Sequence, residues 1–269
     1  MKDVLVTGAA GGMGRAVTDL LTKNGCRVFA LDRERCPEST AVISLIADLT
    51  DGDAVASAFR AVSEETEGLF AIVHLAGIYT LDSLVEISPE KFDRAFRVNL
   101  GGAFLVNRTF LPLMKEGSRI ITVTSELAVR DPLPFTGIYG ITKTALDKYC
   151  YSLRMELQLL GIPVSVLRAG AVDTGMLGDS TRQLDSFCEN TTHYSLGAKR
   201  FRNIVDRVEA RRVPPEKIAK KINRIMNKKD PAFSYSINRN PLLILLDKLP
   251  ECARFSIIRR ILKTPEGRK

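Results

Sequence analysis

Val4-Leu5-Val6-Thr7-Gly8-Ala9-Ala10-Gly11-Gly12-Met13-Gly14 stands almost at the start of the chain, and its reading decides the fold. A short apolar run gives way to a glycine-rich turn, and the turn opens an amphipathic stretch of helix length, residues 13–24. In that setting, strand then turn then helix, a glycine pattern becomes informative. Gly8 permits the tight turn, Gly12 lets backbone amides approach a pyrophosphate, and Gly14 lets the helix lie close on the sheet with its N-terminus facing the anion. Gly11 and Met13 complete the expected cradle. Asp32, at the end of the next apolar run, can accept hydrogen bonds from an adenosine ribose and would repel a 2′-phosphate. Arg33 follows directly and could meet that phosphate instead. The pair favours NAD and leaves NADP open.

Working outward, short apolar runs alternate with amphipathic stretches. Residues 4–6, 27–31, 41–45, 71–75, 119–123 and 164–167 read as strands, with 233–236 as a further one. Residues 13–24, 51–65, 89–114 and 139–160 read as helices. This alternation predicts an α/β fold, a doubly wound (Rossmann) parallel sheet of about seven strands with helices on both faces. A chain of 269 residues with 45% hydrophobic content suits one large core and a single domain. Gly101-Gly102, inside the third helical stretch, would let a ligand or a neighbouring helix approach closely. The chain enters its first strand after Met1-Lys2-Asp3, without a signal-like segment, so cytoplasmic residence is expected.

The five cysteines are scattered without a Cys-x-x-Cys pair, which argues against a disulfide framework and a metal site. The net charge of +8 raises nucleic acid as a partner. Much of the excess lies after Ala198, in pairs such as Lys220-Lys221 and Arg259-Arg260, and no aromatic and basic residues interleave as in a nucleic-acid module. No nucleic-acid partner is expected.

Tyr139 and Lys143 stand four residues apart in Tyr-Gly-Ile-Thr-Lys, fourteen residues after Ser125. On a helix this spacing puts both side chains on one face, so an ammonium can sit beside the phenol and favour its ionised form. A phenol so treated can move protons near neutral pH. Hydride departure from a carbinol carbon needs such a group, because the hydroxyl proton must leave in step.

These motifs, in this order and spacing, resemble the short-chain dehydrogenase/reductase family in its compact type, from Val4 to about Thr174. Asp48-Leu49 resembles the family's adenine-contacting pair. His74-Leu75-Ala76-Gly77 is similar to its Asn-Asn-Ala-Gly strand end, with Ala76 and Gly77 kept for backbone contact with the cofactor and His74 read as packed. Asn99, Ser125, Tyr139 and Lys143 match the family's catalytic tetrad. The resemblance implies that Tyr139 exchanges a proton with the substrate oxygen and that Ser125 donates a hydrogen bond to it. It also implies that Lys143 lowers the phenol's pKa and holds the nicotinamide ribose, and that Asn99 supports a water on the way to solvent. Ala169-Gly170-Ala171-Val172-Asp173-Thr174 is similar to the family's Pro-Gly-x-Val-x-Thr segment, with Ala169 in place of proline, and Val172 and Thr174 would contact the carboxamide. Cofactor contacts are thus expected from Gly8, Gly11, Gly12, Met13, Gly14, Asp32, Arg33, Asp48, Leu49, Ala76, Gly77, Tyr139, Lys143, Val172 and Thr174.

The resemblance divides the domain into a cofactor-binding and catalytic core (1–174), a substrate loop (175–213) and C-terminal helices with a tail (214–269). The loop shows little periodicity, with Met176, Leu177, Phe187, Tyr194, Leu196 and Phe201 spread among polar residues. It suits either a bulky hydrophobic substrate or an ordinary surface flap. Residues 240–250 and 253–263 are basic-flanked, apolar on one side and too short to span a bilayer. Packing or oligomer contact, a cover over the substrate mouth, and contact with a membrane surface are the three uses open to them.

The expected activity is interconversion of a secondary alcohol and a ketone with NAD(P), on a lipophilic substrate such as a hydroxysteroid or bile acid. The resemblance further implies a homodimer or homotetramer built through the helices that carry Asn99 and Tyr139. Alternatives are a sugar-nucleotide epimerase or dehydratase, whose glycine spacing Gly8, Gly11 and Gly14 also satisfy, and a non-catalytic dinucleotide sensor.

Overall fold

The computed structural model describes residues 1–209 and 211–263, without the side chains of Leu177 and residues 206–209. The expected tail beyond residue 263 and the Leu177 side chain of the substrate loop therefore lie outside the described residues. Seven strands form one sheet: β1 (Lys2–Thr7), β2 (Cys26–Asp32), β3 (Val42–Ile46), β4 (Leu69–His74), β5 (Met114–Ser125), β6 (Val164–Ala169) and β7 (Ser234–Ile237). Their order is β3-β2-β1-β4-β5-β6-β7, and every neighbouring pair is parallel. The chain builds outward from β1 to β3, then crosses back to β4, so the winding reverses between β1 and β4. A crevice opens there at the carboxyl ends of the strands.

Helices cover both faces because alternate strand residues point to opposite sides. Val4 and Val6 pack with Val17 and Leu21 of α1 (Gly12–Lys23) and with Ile218 and Ile222 of α8 (Pro215–Met226). Leu5, between them, packs into the opposite core with Val55 and Val62 of α2 (Gly52–Glu65), Val106 and Phe110 of α4 (Gly102–Phe110), and Leu146 of α5 (Gly137–Leu157). Asp51 caps α2, its carboxylate accepting from the amides of Asp53 and Ala54.

Two expectations are corrected. The single helix over 89–114 is broken into α3 (Pro89–Phe96), a π turn at Arg97–Gly101, and α4, after which a 3₁₀ turn carrying Pro112 leads into β5. Proline has no amide to continue the ladder. The close approach expected at Gly101-Gly102 falls at Gly102, where an added Cβ would stand 3.0 Å from Leu49 Cβ. The second correction concerns 175–213, which is largely helical: α6 (Gly175–Asn190) and α7 (Ser195–Glu209). Leu184 and Phe187 of α6 and Ala198 and Phe201 of α7 join Leu81 in a separate small core, against which Tyr79, Phe135 and Leu262 also pack. The last helices among the described residues are α9 (Pro241–Asp247) and α10 (Glu251–Leu262).

Candidate active site

The glycine turn is shaped by close backbone approach. Gly8 has φ +69°, donates its amide to Leu31 O at 3.0 Å, and would place a Cβ 2.5 Å from the amide nitrogen of Ala76. A Cβ on Gly14 would meet Gly8 O at 2.1 Å, so α1 can start this close to β1 only with glycine there. Gly11 occupies the N-cap of α1 and brings no capping side chain, which leaves the first amides of the helix turned towards the crevice. The Asp32 carboxylate, at the tip of β2, accepts from the amides of Ala10 (3.0 Å) and Glu34 (3.2 Å).

The resulting cleft has a volume of about 750 Å³. Gly8, Gly11, Gly12, Met13, Gly14, Asp32, Arg33, Asp48, Leu49, Ala76, Gly77 and Thr174 all line it, so most of the residues expected around the cofactor are brought together. A volume of that order lies in the range of small-molecule and cofactor sites. An uncapped helix N-terminus with a carboxylate beside it is a donor set that fits a dinucleotide pyrophosphate and ribose. Asp48 turns Oδ1 to the amide and hydroxyl of Thr50, both at 2.8 Å. That amide, with Arg33 and Arg94 nearby, holds the Asp48 carboxyl below its usual range. Val172 is buried and bridges to Val213.

Gly77 separates this cleft from the polar cluster behind it. A Cβ there would lie 3.1 Å from both Lys143 Nζ and Asn99 Oδ1. Asn99, in the π turn, accepts from Ile78 N (2.8 Å) and donates to Ile78 O (3.0 Å) and Thr142 Oγ1 (3.0 Å). Its amide therefore braces the segment after β4 against α5. Tyr139 and Lys143 lie one turn apart on α5, with Lys143 Nζ 5.8 Å from the Tyr139 ring centre. The phenol is hydrogen-bonded to Ser125 from the end of β5.

Burial works against the expected ionisation of this phenol. Burial pushes its pKa up to about 12, and the bond with Ser125 only partly offsets that. Lys143 is pushed down to about 8 by its own burial. Both groups have lost water, and each shifts towards its neutral form. A protonated phenol with an alcohol donor beside it can hand a proton to a carbonyl oxygen.

His74 is packed. Its Nε2 is 2.8 Å from Asn107 Oδ1 and its Nδ1 is 3.4 Å from Thr7 Oγ1. Burial lowers its pKa to about 4, against the bond to Asn107. Among the described residues no group of three or more His, Cys, Asp or Glu side chains could hold a metal.

Several residues at the site carry no sequence signal. Tyr79 sets its ring against that of Tyr139, centroids 4.6 Å apart and planes tilted by 45°. Gln183 of α6 holds the loop that carries it, accepting from Leu81 N (3.1 Å) and donating to Tyr79 O (2.9 Å). Glu90, Arg94 and Arg97 also line the cleft. Across the loop after Ser125, Phe135 has φ +66° and its ring meets those of Phe187, Tyr194 and Phe201. The C-terminal helices are tied to the same loop: Glu126 accepts from Asn240 N (2.8 Å), Arg130 bonds Asp247, and Arg254 bonds Asp131.

A parallel sheet with a glycine turn at its switch point, and a Tyr-Lys pair beside that turn, define a dinucleotide-dependent oxidoreductase class. The short chain dehydrogenase family model matches residues 2–185. The chain belongs to that family of NAD(P)-dependent oxidoreductases, which acts on alcohol and ketone groups. It is 33% identical over 177 residues to 2,3-dihydro-2,3-dihydroxybenzoate dehydrogenase of Escherichia coli K12, covering 65% of this chain and 71% of that one. It is 31% identical over 191 residues to estradiol 17-beta-dehydrogenase 2 of Mus musculus, 66% of this chain and 50% of that one. A longer match, 24% identical over 245 residues, is to 3-ketodihydrosphingosine reductase of Bacteroides thetaiotaomicron, covering 90% and 89%. Among solved structures, 3-ketoacyl-(acyl-carrier-protein) reductase from Brucella melitensis, complexed with NADH, shares the fold at a TM-score of 0.72 and 22% identity, over 88% of this chain and 96% of that one.

Proposed function

We propose that the chain interconverts a secondary alcohol and a ketone on a bulky lipophilic molecule of hydroxysteroid or bile-acid type, with NAD preferred over NADP. The observation that carries this reading is the cluster of Ser125, Tyr139 and Lys143 directly behind Gly77, walled on its outer side by Tyr79, Leu81, Phe135, Phe187 and Phe201. Relatives named for estradiol and for 3-ketodihydrosphingosine support a large apolar substrate. Asp32 at the tip of β2 supports NAD.

Bound nicotinamide supplies the hydride donor or acceptor, held by the cleft from Gly8 to Gly14, Asp32, Asp48-Leu49, Ala76-Gly77 and Thr174. In ketone reduction the protonated Tyr139 gives its proton to the carbonyl oxygen while Ser125 donates a hydrogen bond to the same oxygen. In alcohol oxidation Tyr139 takes the hydroxyl proton, and the Lys143 ammonium favours the phenolate. Asn99 holds the Ala76–Ile78 backbone in place beside Lys143. Residues 1–174 serve as the cofactor and catalytic core, 175–213 as the substrate cover and 214–269 as its C-terminal support. Exposed Phe104, Tyr151 and Met155 on α4 and α5 suit a homodimer or homotetramer contact, and exposed Leu242, Leu245 and Phe255, flanked by Lys248, Arg259 and Arg260, suit a lipid surface. Cytoplasmic residence completes the reading.

The test is the appearance of reduced nicotinamide by absorbance, with NAD or NADP, over steroid and bile-acid alcohols, retinol, short secondary alcohols and sugars. NAD-dependent turnover of a bulky apolar alcohol is expected. Turnover with NADP alone would show that Arg33 outweighs Asp32, and NAD binding without turnover of any alcohol would favour a sensor.

A further inference from the structure

We propose that Asp147 is a positioning residue, a single buried carboxylate that locks the helix bearing Tyr139 and Lys143 to the ends of the two strands that bear Ser125 and the loop from Gly170 to Thr174. The inference rests on the roles given above to Ser125, Tyr139 and Lys143.

Residues 139, 143 and 147 follow one another at four-residue steps along one face of α5. Asp147 is 4% exposed. Arg168 of β6 grips it with a two-pronged fork, Nε to Oδ2 at 2.9 Å and Nη2 to Oδ1 at 2.8 Å. Thr124 of β5, also 4% exposed, donates its hydroxyl to Oδ2 at 3.3 Å. Thr124 and Arg168 are register partners in adjacent strands, and the next pair along is Ser125 and Ala169. The carboxylate thus meets both strands one residue before they release the groups that face substrate and cofactor.

Stability alone does not call for this arrangement, because a buried ion pair gains little over a well-packed apolar pair. A guanidinium fork fixes distance and angle together, which apolar packing does not. Ala169, standing where the family has proline, leaves the φ angle after Arg168 unrestrained by a ring. The fork supplies restraint at the preceding residue instead. Asp147 acts through its neighbours: its carboxylate accepts from Thr124 and Arg168, not from Tyr139 or Lys143.

The decisive variant is the double substitution Asp147→Leu with Arg168→Met in the full chain, which removes both charges together. Expected are NAD affinity within about twofold of wild type and a kcat about tenfold to a hundredfold lower, the cost of a misplacement on the ångström scale. KM should change far less than kcat. Arg168→Lys keeps the charge but not the fork and should reproduce the fall in kcat. A folded double variant with wild-type kcat would overturn the proposal. If it does not fold, Thr124→Val removes only one hydroxyl: a smaller fall in kcat at unchanged KM and NAD affinity supports the role, and an unchanged kcat overturns it. Absence of turnover in wild type would count against the proposed reaction, while wild-type kcat in Thr124→Val would count against Asp147.

Discussion

Around the glycine turn, backbone lies directly on backbone: Gly8 against Ala76, Gly14 against Gly8, with no side chain between them. Around the loop after Ser125, segments far apart in sequence are joined by rings and ions instead: Phe135 among Phe187, Tyr194 and Phe201, Arg130 on Asp247, Arg254 on Asp131. The first kind of contact admits no larger residue, since an added Cβ would overlap a neighbouring main chain. The second kind can be exchanged piece by piece at modest cost. The family match covers residues 2–185, so it includes the first kind of contact and stops before most of the second. A scaffold that must always receive the same cofactor is built from steric necessity, and a wall that must suit a particular substrate is built from replaceable side chains.

This contrast is sharpened most by Tyr139→Phe, which removes one oxygen from the core. Turnover should fall by about a thousandfold, the scale of lost general acid catalysis, with NAD affinity kept. Stopped turnover assays and cofactor titration check it, and loss of both together would erase the separation between proton transfer and binding. Next comes His74→Asn. Neutral His74 stabilises the fold fully above pH 6.5, and that contribution is lost as pH falls towards about 4, because the unfolded imidazole takes a proton that the buried one refuses. The loss is on the order of 3 kcal/mol, and the variant's acid unfolding curve should be flatter by that amount. Equal acid limbs would show that the buried imidazole does not set the core's acid tolerance.

Smaller effects belong to the other region. Arg130→Met, which cuts the bond to Asp247, should change KM for the proposed lipophilic substrate by about tenfold through a loosened wall, with NAD affinity unaltered. A fall in NAD affinity instead would break the comparison, since it would make the outer wall part of the cofactor site. Leu245→Lys, on the exposed side of α9, should leave folding stability within about 0.5 kcal/mol of wild type and turnover unchanged. Vesicle flotation of the same variant tests the lipid-surface reading, which requires reduced association with anionic vesicles.

The strands and the glycine turn were legible because alternation and glycine spacing are local signals. The same holds for the Tyr139 and Lys143 spacing, which one helix turn translates into proximity. α6 was not read from sequence, although Leu184, Phe187 and Cys188 stand at helical spacing, because the stripe is short and the rest of the segment polar. The break in the helix over 89–114 was masked by apolar residues that continue through the π turn. Tyr79 on Tyr139, Gln183 on the loop of Tyr79, and Arg130 on Asp247 join residues up to 117 positions apart, and no local pattern announces such pairs. The burial of Tyr139 and Lys143 was not legible for a related reason: the spacing reveals a neighbouring ammonium, but not how much water the fold removes from both groups.

The tilted contact between the rings of Tyr79 and Tyr139 carries an optical consequence. The chain contains no tryptophan and six tyrosines, so its ultraviolet emission comes from tyrosine alone. Two of the six emitters have ring centres 4.6 Å apart, and one of them is the proposed proton-transfer group. The protein thus holds its own fluorophore pair at the proposed site of reaction, and arrival of a ligand can be followed by its glow, without a label.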